Sequence, residues 1–345
     1  MRNRVMAGTF GAIVCLWAGG QVLVGQRQMP PAWPYGQPQL APGVVPPQAP
    51  PQRTPAATPA AAPNPNAPPP VLRQAEGSKF QFAQQQIGDN YGPADWFPED
   101  HPPMPDIVAH GRPGVVRACG LCHLPTGRGR PENAPVQGLP HDYIVQQLRD
   151  FKQGVRHSAD PRKANTGEME NIAKALTEQE IEQVATYFSS IKVPKYVRVV
   201  ETDAVPTMRI MGEIYFPTDD GQKEPIGVRI IETPENVAQT QLRNPRSGFI
   251  AYAPVGSVKR GEALATSGGN GKTIACSTCH GPELKGVGPI PTLAGRSPSY
   301  LARQMYDIKL GTRNGAMAAL MKPVVTNLTD SDIVDLIAYV SSLTP

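Results

Sequence analysis

Apolar residues recur at helical spacing in two stretches that match each other along the chain. One stretch follows Thr177 and the other follows Thr329. The apolar positions are Ile181, Val184, Ala185 and Phe188 in the first, and Ile333, Leu336, Ile337 and Val340 in the second. This spacing puts them on one helix face. Each threonine has an acidic residue three positions later, as in a capping box. The pattern therefore predicts amphipathic helices beginning at Thr177 and Thr329.

Two earlier stretches show the same periodicity and align without a gap. The sequence DYIVQQLRDFKQGVR, which begins at Asp142, lies over SYLARQMYDIKLGTR, which begins at Ser299, at an offset of 157 residues. The positions that meet an identical residue in the second stretch are Tyr143, Gln147, Asp150, Lys152, Gly154 and Arg156. The apolar spacing is again that of a helix. A homologous helix is therefore predicted in each stretch.

The repeat continues after this helix at an offset of 152 residues, and a methionine recurs there. Met169 lies over Met321, and each precedes by seven residues the leucine that stands before the capped helix. Internal repetition of this kind indicates duplicated structural units. We predict two homologous, mostly helical domains, residues 106–192 and 255–345.

Each predicted domain opens with two cysteines and a histidine in the order C-x-x-C-H. Two thiols three residues apart can reach two vinyl groups on one porphyrin edge, and the next histidine then comes under the iron. A structural zinc site needs four ligands where each motif offers three, and a thioredoxin-like pair would lie in an α/β pattern. The motifs therefore predict two covalent haem c groups, bonded to Cys119, Cys122, Cys276 and Cys279, with His123 and His280 as proximal iron ligands.

The recurring methionine is the candidate for the second iron ligand in each domain. Met169 is the methionine that follows His123 in the first domain, whereas Met305, Met317 and Met321 compete in the second. Met305 aligns with a leucine on a helix, and Met317 falls four residues out of register. Thioether ligation raises the reduction potential and suits electron transfer. We predict Met169 and Met321 as axial ligands; the alternative for any methionine is core packing.

Composition divides the N-terminal part of the chain from the two domains. Of 40 prolines, 16 fall between Pro30 and Pro70. Residues 26–78 are rich in Pro, Ala and Gln, which predicts a disordered, extended spacer. The formal net charge of the whole chain is +4, which argues against a nucleic-acid partner because those proteins carry a strong basic bias.

Residues 1–25 have the layout of an export signal. A short basic segment precedes an apolar run that ends in small residues, as in a secretory signal peptide. The alternative is an uncleaved anchor, since the apolar stretch of residues 5–25 is long enough to span a bilayer. Either interpretation places the rest of the chain across a membrane, so we expect a periplasmic protein, free or tethered to the inner membrane.

Residues 106–192 and 255–345 each resemble a class I cytochrome c domain. Together they resemble the tandem two-haem cytochromes c of bacterial respiratory chains. The resemblance rests on the C-x-x-C-H motif, the helix beginning near a tyrosine, the methionine and the C-terminal helix, and it covers about half the chain. It implies an all-α fold for the two domains and single-electron transfer between redox partners.

The second copy matches this family more fully than the first. Gly281 and the sequence PTLAG, which begins at Pro291, match the family pattern, whereas the first copy has Leu124 and APVQG in their places. The resemblance also implies that the second ring nitrogen of each proximal histidine bonds a backbone carbonyl. The carbonyls of Pro135 and Pro291 are the candidates.

Two segments depart from the tandem family. Residues 193–254 form a longer connector, in which the stretches YVRVVE and IGVRIIE alternate as short strands would. We predict an ordered insert with one or two short β-hairpins, which packs on a haem domain and fixes the geometry between the two haems; the alternative is a docking surface for a specific partner. Residues 79–105, which include Trp96 and Phe97, are predicted to fold back onto the first domain.

These patterns together favour an electron carrier and not an enzyme. The expected partners are a donor and an acceptor of the redox-protein class. The alternative is a haem enzyme of the two-haem peroxidase or sulfur-compound-oxidising type, which would need one open iron. The paired methionines count against an open iron, because a thioether ligand closes it.

Overall fold

The computed structural model describes residues 28–41, 43–50 and 68–345. The predicted signal or anchor, residues 1–25, and much of the predicted spacer lie outside the described residues. None of the helices in the described part has the length and apolar character that a bilayer-spanning segment needs.

Residues 28–41, here called the strap, differ from the extended spacer that their composition predicts. Trp33–Tyr35 form one turn of 3₁₀ helix, which ends at Gly36 with φ +62°. Trp33 is 7% exposed and Tyr35 is 0% exposed, and both rings pack into the core of the second domain. Two aromatic side chains bury a large apolar surface. The average composition of a proline-rich stretch does not reveal these two buried aromatic residues.

The segment of residues 72–105, which extends the first domain on its N-terminal side, packs on the connector as well as on the first domain. β1 (Leu72–Arg73) pairs antiparallel with β2 (Phe82–Ala83), which leads into α1 (Gln84–Ile87). Trp96 and Phe97 are buried in a small cluster, and the Trp96 Nε1 donates to the carbonyl of Leu242 in the connector at 2.7 Å. On the other side, the backbone N of Ala118 donates to the carbonyl of Asn90 at 2.8 Å.

The first domain is helical. It contains α2 (Asp106–Ala109), α3 (Cys119–His123), α4 (His141–Lys152), α5 (Ala164–Ala175) and α6 (Glu178–Ser189). The apolar stripes of α4 and α6 share one core with Ile172 and Leu176. The Thr177 hydroxyl accepts from the Glu180 backbone N, and the Glu180 carboxylate accepts from the Thr177 backbone N. The predicted capping box is therefore confirmed.

The connector is built mainly from strands. They are β3 (Val197–Glu201), β4 (Ala204–Pro206), β5 (Met208–Met211), β6 (Ile214–Pro217), β7 (Lys223–Pro225), β8 (Ile231–Pro234) and β9 (Phe249–Ala253), with α7 (Val237–Gln241) before the last strand. β5 and β6 form a hairpin, and β4 pairs antiparallel with β7. β9 lies between β3, which runs parallel to it, and β8, which runs antiparallel.

The second domain repeats the helices of the first. It contains α8 (Ser257–Ser267), α9 (Ser277–His280), α10 (Pro298–Lys309), α11 (Lys322–Thr326) and α12 (Asp330–Ser342). α8 crosses α12 so closely that a Cβ at Gly261 would lie 1.9 Å from the carbonyl oxygen of Asp335. The capping box at Thr329 and Asp332 is present as predicted. Side chains of β3 and β9 join the core that α12 shares with α10.

The prediction of an all-α fold with short hairpins is therefore correct only in part. Both repeats are helical, but the connector contains a three-stranded mixed sheet that packs on the second domain. The parallel β3–β9 pair joins residues about fifty positions apart, whereas a hairpin joins neighbours. Local alternation identifies strands but does not identify distant partners.

The two domains meet through residues that are identical in the two repeats. The Gln147 Oε1 accepts from Arg156 at 2.8 Å and from Arg313 at 2.9 Å. The Gln304 Oε1 likewise accepts from Arg313 at 3.1 Å and from Arg156 at 3.0 Å. Gln147, Arg156 and Arg313 are buried, and Gln304 is half-buried. Each amide therefore serves both guanidinium groups, and the contact has an approximate two-fold symmetry.

Candidate haem-binding sites

The first C-x-x-C-H motif forms the short helix α3. The Cys119 and Cys122 thiols are free and lie in one cleft of the first domain. Burial raises the pKa of Cys119 to about 12, so its thiol stays protonated near neutral pH. Neither sulfur is part of a disulfide, so both are available for bonds to the two vinyl groups of a porphyrin.

His123 is buried and held in one tautomer. Its Nδ1 lies 2.8 Å from the carbonyl oxygen of Ala134. A carbonyl only accepts, so Nδ1 carries the proton and Nε2 keeps a lone pair for a metal. Burial lowers the pKa of His123 and so favours this neutral imidazole. The predicted Pro135 carbonyl is wrong by one residue.

His280 repeats this geometry in the second domain. Its Nδ1 lies 2.8 Å from the carbonyl oxygen of Pro291, as predicted, and burial lowers its pKa. Ala134 and Pro291 each follow their histidine by eleven residues. The two repeats align at an offset of 157 residues without a gap, so Pro291 corresponds to Ala134 and not to Pro135. This alignment could have identified the Ala134 carbonyl from the sequence.

The first cleft also contains the predicted axial methionine. Met169, on α5, lines the same cleft as Cys119, Cys122 and His123. The apolar walls come from α4, α5 and α6, with Ile144, Leu148, Phe151, Ile172, Leu176, Val184 and Phe188 among the lining residues. A flat apolar group would be enclosed on both faces by such walls. The assignment of Met169 as an iron ligand remains a prediction.

One side of this cleft is polar and includes residues of the second domain. Arg156 and Lys163 line it from the first domain, and Arg303, Gln304 and Asp307 line it from α10. All five are buried or half-buried. Cations in such positions suit the carboxylates that a haem carries on its edge. Sequence reasoning noted the identity of Arg156 with Arg313 but did not give these residues a place at the cleft.

The residues of the second site are more exposed than those of the first. Cys276 is half-buried against the second core, whereas Cys279 is exposed. Met321 ends a 3₁₀ helix, Ala316–Met321, and packs against Ile308 and its neighbours. A hydrogen bond joins the segment before the second motif to α11, which follows Met321: the Thr273 hydroxyl donates to the carbonyl of Val324 at 2.6 Å. Ligation by Met321 likewise remains a prediction.

The residue after each histidine adopts the same unusual backbone conformation. Gly281 has φ +81° and ψ 163°, and Leu124 has φ +62° and ψ 156°. This region is nearly confined to glycine. The sequence difference at Leu124 therefore does not change the turn, and the chain leaves both C-x-x-C-H helices in the same direction.

The residues at both sites fit haem c. Each offers two free thiols and a neutral imidazole with its metal-binding nitrogen available, and the first adds apolar walls with cations at one side. These features define a protein that holds haem covalently at two sites.

Comparison with known proteins identifies the family. The family model described as "Cytochrome c" matches residues 108–192 and 258–344. Cytochrome c-554(548) of Halomonas halodenitrificans is 42% identical over 83 residues, which cover 24% of this chain and 96% of that protein. The chain therefore belongs to the cytochrome c family, with two family domains in tandem.

Two relatives match across both domains. Cytochrome c4 of Stutzerimonas stutzeri is 26% identical over 238 residues, which cover 67% of this chain and 86% of that protein. A protein named "Thiosulfate dehydrogenase electron acceptor", from Thiomonas intermedia, is 28% identical over 224 residues, which cover 64% of this chain and 75% of its own. The chain is thus similar to tandem cytochromes, carries two haem c groups and functions in electron transfer.

Proposed function

We propose that this chain carries single electrons through two haems, each held between a histidine and a methionine. The ligands are His123 with Met169, and His280 with Met321. The observation that carries this proposal is the cleft that brings Cys119, Cys122, His123 and Met169 together. Each proximal imidazole is fixed by a carbonyl that leaves Nε2 available for iron.

Each part of the site has a separate task in this mechanism. When bound, haem c supplies a one-electron couple between Fe(III) and Fe(II). The cysteines fix the group to the chain, and the Ala134 and Pro291 carbonyls orient the imidazoles. The methionine thioethers favour the reduced state and exclude other ligands. Arg156 and Lys163 offer positive charge to the carboxylates of the first haem.

We further propose redox proteins as partners and no bond-making chemistry. A relative is named as an electron acceptor of thiosulfate dehydrogenase, which makes a dehydrogenase of that chemical class a candidate donor. The basic and apolar start of the sequence supports export to the periplasm. The rival function, a haem enzyme, requires an iron without a methionine ligand at one of the two sites.

The test is spectroscopic and uses the purified holoprotein. We expect a pyridine haemochrome count of two haems per chain, with the long-wavelength sulfur-to-iron band at full intensity for both. Met169→His and Met321→His should each remove half of that band. Met305→Leu is the matched control and should leave the band unchanged, because Met305 packs on the second core. A band of half intensity in the unaltered protein would favour the haem-enzyme alternative.

A further inference from the structure

We infer that redox partners exchange electrons with this protein through the second haem site, and that the first site is closed to them. The first haem then receives and returns electrons through the second domain. This inference rests on the proposed function, because it requires a haem at each site. The two sites differ in what packs around them, and the strap and connector make the difference.

The connector packs against the loop that follows the first motif. The segment that follows α7 lies along residues 122–130. Arg128 is buried and donates to the carbonyls of Pro245 and Ser247. Arg130 donates to the carbonyl of Thr240 in α7 at 3.4 Å. Cys122, which lies just before this loop, is half-buried, whereas Cys279 of the second motif is exposed.

The strap and the β5–β6 hairpin close a second side of the first cleft. The buried Lys163 ammonium, which lines the cleft, pairs with the Glu213 carboxylate at the tip of the hairpin. Glu213 also accepts from the Gln37 side chain of the strap at 3.2 Å. A Cβ at Gly36 would lie 2.1 Å from the Glu213 carbonyl oxygen, so strap and hairpin are in direct contact.

The strap is also fastened to the residues that the second domain contributes to the cleft. The Tyr35 hydroxyl donates to the Asp307 carboxylate at 2.8 Å. The Arg303 guanidinium donates to the carbonyl of Pro34 at 2.8 Å. Asp307 and Arg303 both line the first cleft. Their outer sides are therefore occupied by the strap, which leaves them no surface for an external protein.

The second site presents an apolar face to solvent instead. Cys279 is exposed, and Ile274, Val287 and Leu320 are 44%, 59% and 61% exposed. These side chains flank the motif and the predicted ligand Met321. Exposed apolar side chains around a cofactor site are typical of a protein contact surface.

The charges around this face indicate the kind of partner. Lys272, Lys285 and Lys322 are exposed there, with Glu283 as an exposed acidic neighbour. Lys272 pairs with Asp332, which is itself buried. Lys285 likewise pairs with Glu283 at 2.8 Å, so three lysines meet two carboxylates and the rim carries a small positive excess. It fits a redox protein whose own cofactor edge is apolar and ringed by acidic side chains.

A matched pair of variants tests which haem meets the partner. Met321→His lowers the potential of the second haem, and Met169→His lowers that of the first, because imidazole replaces the thioether. Each reduced variant is mixed with a cupric acidic plastocyanin, and oxidation of the remaining methionine-ligated haem is followed by stopped flow. In Met321→His the methionine-ligated haem is the first one. Its electron must then leave through the second haem, whose potential has been lowered, and this step is unfavourable.

We expect the rate constant for oxidation of the methionine-ligated haem to be at least about tenfold smaller in Met321→His than in Met169→His. Equal rates, or a slower rate in Met169→His, would overturn the inference. A haem count below two, or a missing methionine band, would instead contradict the proposed function.

The strap has its own matched controls within the chain. Gly36→Ala drives a Cβ into the Glu213 carbonyl, whereas Gly43→Ala meets nothing within 4 Å; both glycines have positive φ. In the Met321→His background, Gly36→Ala should speed oxidation of the first haem severalfold, and Gly43→Ala should not. Hydrogen exchange of the amides of residues 35 and 36, which donate to the carbonyls of Ala32 and Trp33, should rise only in Gly36→Ala. An unchanged rate in Gly36→Ala, whether or not exchange rises, would show that the strap does not close the first site.

Discussion

At the scale of single residues, the turn after each proximal histidine shows how burial can offset backbone strain. Leu124 and Gly281 occupy the same conformation, which costs a non-glycine residue about 1–3 kcal/mol. Leu124 is almost wholly buried. Burying a leucine side chain contributes about 1.5–3 kcal/mol, which is enough to offset the strain. The first copy can therefore dispense with glycine at this turn.

Gly281 has no such compensation, so we expect Gly281→Ala to destabilise the second domain. Its Cβ would lie 3.1 Å from the Val287 side chain in addition to the strained φ, and the loss should be about 3 kcal/mol, the upper end for such strain. Gly288→Ala, at a left-handed position with open space around it, should cost about 1 kcal/mol. Urea unfolding of the holoprotein measures both. Equal losses would contradict the account of the turn.

At the scale of elements, helices that carry their own signals could be predicted and long-range pairings could not. The stripes and caps of α6 and α12 are local features of the sequence, and both capped helices begin where expected. The pairing of β3 with β9 depends on residues about fifty positions apart. No local pattern specifies that distance, because alternation is the same for a parallel and an antiparallel strand.

The contact between α4 and α10 gives a prediction at this scale. Gln147→Leu removes one of the two amide acceptors that each buried guanidinium group, Arg156 and Arg313, has at this contact, and leaves both groups to share the Gln304 oxygen. Leaving a buried donor unsatisfied costs about 1–3 kcal/mol, so we expect a loss in that range. By the approximate two-fold symmetry, Gln304→Leu should cost a similar amount. Urea unfolding would measure the loss, with the exposed Gln153→Leu as the neutral control. A large loss in one variant alone would contradict the symmetric contact.

At the scale of the whole molecule, the repeat predicts what the two domains share but not what distinguishes them. The thiols, the imidazoles and the methionines recur in register, so the candidate sites could be predicted. The strap and the connector have no counterpart within the repeat. Tyr35 reaches Asp307 across 272 positions, and nothing in a proline-rich segment signals such a distant contact.

The strap also makes the second domain depend on the N-terminal part of the chain. Trp33 is buried in the second core, and we expect Trp33→Ala to reduce the stability of that domain by about 3–5 kcal/mol, as for other buried aromatic residues. Hydrogen exchange should increase in α10 and α12 and stay unchanged in α6. Val45→Ala, an exposed change near the strap, should alter stability by less than about 0.5 kcal/mol. A uniform increase across both domains would contradict this dependence.

The packing of the connector beside the first motif has a consequence for the maturation of the protein. Arg128, five residues after His123, is held by the carbonyls of Pro245 and Ser247. We expect a haem to be joined to the first motif more readily before the connector docks than after it. The strap can complete its contacts only when α10 is in place. The segments packed around the first site therefore come from distant parts of the chain, and all of them have to be present before the site is complete.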